Sequence, residues 1–182
     1  MKVLIACEYS GIVRDAFKAR GHDAWSCDIL PTERPGQHIV NDVRNVLDAG
    51  WDLMIAHPPC TYLANVGMPW FKRQPDRMQK AIQAFDFAMT LMDAPIPLIA
   101  LENPVGLISK WYRSQDQIVN PSDFGDPMTK KTCLWLKGLP PLMATLVITN
   151  PVSNWTEFNV RSPKLRSKTF PGFAAAMAAQ WG

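Results

Sequence analysis

Unbroken apolar runs recur along this chain, and each gives way within a residue or two to polar or turn-forming positions. Val3-Leu4-Ile5-Ala6 leads into Cys7-Glu8, Ala24-Trp25-Ser26-Cys27 into Asp28, Trp51 to Ala56 into His57-Pro58, and Leu98-Ile99-Ala100-Leu101 into Glu102. Runs of this kind mark strands buried on both faces, as in parallel sheets. Between them the period changes. Ile12 to Arg20 puts Val13, Ala16 and Phe17 on one helical face and stops at Gly21. Arg77 to Asp93 predicts an amphipathic helix with Met78, Ile82, Phe85, Met89 and Met92 packed into the core. Ile39-Val40 predicts a short third strand ending at Asn41-Asp42, and Val43 to Ala49 a helix. Further on, Thr132 to Leu136 and Leu146 to Thr149 read as strands, and Phe173 to Trp181 as an Ala-rich helix that needs docking to be stable. This alternation predicts a single α/β domain over residues 1–182 with a largely parallel sheet.

Composition narrows the class without naming a function. A chain of 182 residues, 47% hydrophobic and 19% charged, has enough apolar surface for one globular core. The net charge of +3 is compatible with a polyanionic partner and does not demand one. Cys7, Cys27, Cys60 and Cys133 show no C-x-x-C spacing, and His22, His38 and His57 form no ligand pattern with them, so no metal site is expected. No apolar stretch reaches membrane-spanning length and no signal peptide opens the chain, so reduced thiols and a cytoplasmic location are expected.

Candidate chemistry collects where strands end. In open α/β sheets the carboxyl ends of the strands form one rim, where ligands bind. The turn Glu8-Tyr9-Ser10-Gly11, the tetrapeptide His57-Pro58-Pro59-Cys60 and Glu102-Asn103-Pro104 all fall on that rim. Two prolines fix φ twice, so they hold Cys60 on a rigid extended loop. A thiol facing a carboxyl at a nucleoside-binding turn fits one reaction in particular. Thiolate addition to carbon 6 of a pyrimidine makes carbon 5 nucleophilic toward a methyl donor, and a protonated carboxyl at ring N3 stabilises the adduct. Such an acid must hold its proton near neutral pH, which burial is expected to arrange.

These residues carry a resemblance to the cytosine-C5 DNA methyltransferase family, especially its short, phage-type members. Pro58-Pro59-Cys60 resembles the family's Pro-Cys nucleophile motif, and Glu102-Asn103-Pro104 its Glu-Asn-Val motif. Cys7 to Gly11 is similar to the turn around S-adenosylmethionine, and Phe170 to Trp181 to the closing motif. The resemblance implies a Rossmann-like S-adenosylmethionine-dependent methyltransferase fold. Its sheet would be seven-stranded and mostly parallel, with one antiparallel strand and helices on both faces. It implies Cys60, Glu102 and Lys130 as catalytic residues, and Cys7, Glu8, Tyr9, Gly11, Asp28, Ile29, Asp42 and Pro58 around S-adenosylmethionine. His57, Pro59, Asn103, Tyr62, Lys72 and Arg73 would then face the substrate. DNA is the implied partner, with RNA or a cytosine nucleotide as alternatives, in a bacterial or phage-infected cytoplasm; no membrane or metal is implied. The chain departs from the pattern at Tyr9, where the family has glycine, and at Met128 to Thr132, where Lys130 replaces one arginine and Thr132 the other. It also leaves no room between Thr132 and the closing helix for a full target-recognition domain.

Several positions carry two readings. Glu8 either meets the methionine ammonium group or caps the following helix. His57 either binds substrate or packs as a satisfied histidine, and Asp28 and Asp42 are either cofactor ligands or local turn formers. The aromatic and basic stretch Tyr62, Trp70, Phe71, Lys72, Arg73, Arg77 reads as a nucleic-acid loop or as a solvated one. Arg161, Lys164, Arg166 and Lys168 form a second basic run. Two other functions stay open: methyl transfer to an exocyclic amino group, and a non-catalytic nucleic-acid or partner-binding module on the same fold.

Overall fold

The computed structural model describes residues 1–153 and 167–182, so Arg161, Lys164 and Arg166 lie outside the described residues. The apolar runs form β1 (Lys2–Ala6), β2 (Asp23–Asp28), β3 (His38–Val40), β4 (Leu53–Ala56) and β5 (Leu98–Pro104). Beyond them come β6 (Gln117–Val119), β7 (Met128–Thr129), β8 (Thr132–Lys137) and β9 (Val152–Ser153). Among the described residues, seven strands make one sheet in the order β3-β2-β1-β4-β5-β8-β6. β1 to β5 pair in parallel, and β8 runs antiparallel between β5 and β6. The sheet is therefore mixed, with one reversed strand. β7 and β9 form a separate small ribbon.

Both faces of the sheet are covered, which is why its strands read as continuous apolar runs. Alternate residues of each strand serve opposite cores. Val3, Ile5, Leu53 and Ile55 pack under α1 (Ile12–Ala19) and the closing helix Pro171–Trp181, through Val13, Phe17, Phe173 and Met177. Leu4, Met54, Ile99 and Leu101 pack under α2 (Arg77–Met92). A short α3 (Ile108–Trp111) follows β5, and the closing helix is α4.

Five expectations need correction. The buried stripe of α2 is Ala81, Ala88, Leu91 and Met92, whereas Met78 and Ile82 are exposed. Small residues let the helix lie close to the sheet; Met92 is buried as expected, and Phe85 and Met89 pack against the same core while partly exposed. Leu146 to Thr149 is not a strand; Leu146 and Val147 are exposed, because β6 already takes the edge of the sheet beside β8. Val43 to Ala49 shortens to a 3₁₀ turn, Val43–Val46. The aperiodic stretch after Cys60 contains a longer 3₁₀ segment, Asn65–Lys72. β5 also outruns its apolar stretch: Glu102, Asn103 and Pro104 continue the strand opposite Leu134, Cys133 and Thr132.

Candidate active site

Strand register brings the rim residues into a row. Ala6 is aligned with Cys27 on one side and Ala56 on the other, and Ala56 with Leu101. The next residues, Cys7, Asp28, His57 and Glu102, therefore emerge side by side at the carboxyl ends of four adjacent strands. His57 N–H donates to Ala6 O at 3.0 Å, and Glu8 N–H to Cys27 O at 3.2 Å, closing the row. Cys7 has a positive φ of 60°, an uncommon conformation for a residue with a Cβ. It turns the chain sharply off β1.

Glu8 is 4% exposed and faces inward. Its Oε1 accepts from Val13 N–H at 2.7 Å and Ser10 Oγ–H at 3.0 Å, and its Oε2 from Arg14 N–H at 3.2 Å. Ile12 N–H reaches Ser10 Oγ at 3.3 Å, and Asp15 N–H reaches Gly11 O at 3.0 Å. The first turn of α1 is thus satisfied by this turn alone, and the carboxylate opposes the positive helix end. Both oxygens of Glu8 are occupied by the cap. Gly11 sits at φ 73°, and a Cβ there would collide with the Arg14 guanidinium.

The tetrapeptide is clamped to β5. His57 Nδ1 lies 3.1 Å from Glu102 Oε2, with side chains 10% and 17% exposed. Asn103, buried, donates from Nδ2 to Pro58 O at 2.9 Å. Pro58 is buried, and Pro59 and Cys60 are exposed beyond it. Burial would raise the Glu102 carboxyl, but the His57 hydrogen bond and the charges of Lys130 and His57 outweigh it and carry the group below the ordinary carboxylate value. Burial was expected to keep this acid protonated. The neighbouring imidazole, which the sequence pattern does not pair with it, reverses the direction.

Cys60 is the exposed cysteine of the four. Burial pushes the Cys27 thiol up to about 11, helped by Asp28 and Asp42, and it pushes Cys133 up to about 11, helped by Glu102. The Cys7 thiol is raised still further by burial and the same aspartates. Those three are held as neutral thiols, poor nucleophiles.

Lys130, Thr132 and Glu102 line a small enclosed cavity with Ser167, Phe170 and Phe173. Thr132 turns inward and donates to Lys130 O at 3.0 Å. The closing segment also reaches the first turn: Tyr9 Oη and Ser167 Oγ are 3.1 Å apart, and Lys168 pairs with Glu33 at 2.5 Å. Asp28 Oδ1 accepts from Leu30 N–H at 2.9 Å, and Ile29, Leu30 and Val40 are exposed around it. Asp42 caps its own 3₁₀ turn and is paired with Arg44, which holds its carboxyl below the ordinary range through that hydrogen bond. Lys72 and Arg73 are exposed on the 3₁₀ segment, and Arg73 covers Trp70. A wider open groove of about 500 Å³, between Arg44 and the end of α2, is lined by none of the residues on this rim.

The sequence pattern does not show the packing role of two arginines. Arg77, buried at the start of α2, donates to Thr61 O at 2.9 Å and to Gln74 Oε1 at 3.3 Å, and its guanidinium lies over Tyr62 and Phe71. It ties both ends of the segment after Cys60. Arg14 is fully buried and holds the 32–36 loop through Thr32 Oγ1 and the carbonyls of Arg34 and Pro35. Arg77 shows in the sequence as one cation of the aromatic and basic stretch, and Gly67 and Gly36, whose missing Cβ leaves room for the two guanidinium groups, are a further trace.

No family model matches this chain, and no curated protein matches it in sequence. Solved structures do match. An E. coli prophage-encoded protein described as a DNA modification methyltransferase superposes with a TM-score of 0.52 at 16% identity, over 83% of this chain and 52% of its own. The S. pombe methyltransferase Dnmt2 gives 0.49 at 16% identity, over 89% and 55%, and the Entamoeba histolytica methyltransferase EhMeth 0.49 at 17%, over 80% and 57%. This chain has a Rossmann-like methyltransferase fold, and it spans about half the length of the prophage protein. No helix among the described residues is long and apolar enough to cross a membrane, and no group of three or more His, Cys, Asp or Glu there could hold a metal ion.

Proposed function

We propose that residues 1–182 form a single S-adenosylmethionine-dependent methyltransferase domain that modifies carbon 5 of cytosine in DNA, or in a smaller cytosine-containing substrate, in a bacterial or phage-infected cytoplasm. The observation that carries this reading is the clamp between two segments 45 residues apart, in which Asn103 holds Pro58 and His57 meets Glu102. It brings the loop of the exposed cysteine against the carboxyl that the chemistry requires.

The rim residues fit the proposed cofactor. Asp28, at the tip of β2, offers a carboxylate for ribose hydroxyls, and the exposed Ile29, Leu30 and Val40 offer an apolar seat for a purine. Glu8 fits less well, since its carboxylate is committed to α1. When bound, the cofactor supplies an electrophilic methyl group on a sulfonium. The protein supplies the rest. The Cys60 thiolate forms the bond to ring carbon 6, with the two prolines limiting its loop. Glu102, held mostly as the carboxylate by His57 and Lys130, gives a proton to ring N3 from its protonated fraction, which is small but strongly acidic, as the ring gains electron density. Lys130, in the same cavity as Glu102, offers positive charge beside it. Solvent water takes the carbon 5 proton, the C–H electron pair re-forms the carbon 5–carbon 6 double bond, and Cys60 leaves carbon 6 as the thiolate.

The test is incubation of the protein with labelled cofactor and DNA, tRNA or dCMP, followed by nucleoside mass spectrometry. 5-Methylcytosine is expected, together with a covalent adduct on a 5-fluorocytosine substrate. Cys60→Ala should abolish both and still bind cofactor by calorimetry. Methylation on an exocyclic amino group without an adduct would overturn the reading, as would full activity of Cys60→Ala.

A further inference from the structure

The reaction above needs the carboxyl of Glu102 and says nothing of the imidazole that faces it. His57 spends one ring nitrogen on Glu102 Oε2 at 3.1 Å. Its other nitrogen, Nε2, is buried and meets no hydrogen-bonding partner among the described residues. With no acceptor beside Nε2 among the described residues, the ring proton has a bond to make only at Nδ1. A carboxylate only accepts hydrogen bonds, so Nδ1 carries the proton in this contact.

We infer that His57 is a positioning residue for Glu102, occupying Oε2 with its Nδ1–H so that Oε1 alone carries a proton to the substrate ring. This rests on the C5 reading above. The step balances simply. The O–H bond at Oε1 breaks as the N3–H bond forms, and the electron pair stays on the carboxylate. The same proton returns to Oε1 when Cys60 leaves carbon 6. An N–H donor binds a carboxylate more strongly than a neutral acid, so the His57 contact tightens as the proton departs. It therefore favours the charge distribution of the transition state over that of the protonated acid.

The other groups facing Glu102 act on the same equilibrium. Lys130 lines its cavity and also favours the anion. Cys133, on β8 opposite Asn103, is a neutral thiol and adds no charge. His57 differs from Lys130 in making a direct bond to a chosen oxygen.

The experiment is a ¹³C-carboxyl NMR titration of glutamate-labelled protein, with the Glu102 signal assigned by its loss in Glu102→Gln. In His57→Leu the Glu102 midpoint should rise by about one pH unit or more. In His57→Asn, whose amide keeps an N–H near the place of Nδ1, it should return at least halfway to wild type. The limb of the kcat profile that reports Glu102 should move and return in the same way, with the cofactor KM within about twofold of wild type. A Glu102 midpoint unmoved in His57→Leu overturns the inference. If that variant does not fold, ¹⁵N shifts of the wild-type imidazole decide: an Nδ1–H tautomer in the neutral ring is expected, and an Nε2–H tautomer overturns it. A shifted midpoint in a protein that makes no 5-methylcytosine would sink the C5 reading and keep the couple. Product formed with an unmoved midpoint would do the reverse.

Discussion

Replacing Glu8 separates its two readings, because a cap and a ligand fail differently. Glu8→Ala removes the acceptor for three donors at a site 4% exposed: Val13 N–H at 2.7 Å, Ser10 Oγ–H at 3.0 Å and Arg14 N–H at 3.2 Å. Loss of a helix cap costs about 1 kcal/mol and up to about 2. Bonds to a charged group, and donors left unsatisfied where water does not reach, raise that figure to about 2–4 kcal/mol. For a chain of 182 residues this corresponds to a fall in Tm of about 6–12 °C. Glu8→Gln keeps one acceptor oxygen but turns an NH₂ toward a backbone N–H, and should cost about 1–2 kcal/mol. Urea unfolding followed by far-UV circular dichroism measures both, with an unchanged m-value as the check that the same surface is exposed. Cofactor binding by the folded fraction should weaken only in step with stability. A Glu8→Ala protein as stable as wild type to within about 0.5 kcal/mol, yet unable to bind cofactor, would refute the cap and restore Glu8 as a ligand.

Other consequences follow from the clamp and its supports. A Cβ at Gly106 would collide with Leu63 O, where Leu107 N–H donates at 2.8 Å, so Gly106→Ala should cost about 1–3 kcal/mol. It should also change the alkylation rate of Cys60 by iodoacetamide, and an unaltered rate would show that this contact does not hold the loop. Arg77→Met removes the bond to Thr61 O and the cover over Tyr62 and Phe71. Limited trypsinolysis at Lys72 and Arg73 should accelerate several-fold, and unchanged cleavage would count against the tether. Glu102 is held below its ordinary value of 4.5. Its stabilisation is present above that value and is lost as pH falls through the folded-state value. The gap in urea midpoint between wild type and Glu102→Gln should therefore close on acidification below about pH 5, and a gap that stays constant would contradict the direction of the shift.

The parts of this molecule that the sequence predicts are those set by local pattern. Buried strands of a parallel sheet must be apolar on both faces, so Val3 to Ala6, Leu53 to Ala56 and Leu98 to Leu101 announce themselves. Local pattern fails where a position is decided by what lies next to it. Leu146 and Val147 have the composition of a strand and stay exposed outside the sheet, while Gln117–Val119 lacks a strong apolar signal and takes the place beside β8. Helical spacing points Met78, Ile82, Phe85, Met89 and Met92 at the core, yet Met78 and Ile82 are left to solvent and Ala81 and Ala88 are buried beside Met92.

The site divides along the same line. Sequence alone determined that a thiol, a carboxyl and the Glu8–Gly11 turn stand at strand ends, because a run of apolar residues ends where its strand leaves the core. Tertiary structure alone decided how these groups are used. It gave Glu8 to the start of α1, bound Asp42 to Arg44, set Arg77 beneath the loop of Cys60, and paired His57 with Glu102. Those pairings depend on strand register and on contacts between distant segments. The charge state of Glu102 depends on them too: burial alone would have raised its pKa, and the imidazole brought alongside by the β4–β5 register lowers it.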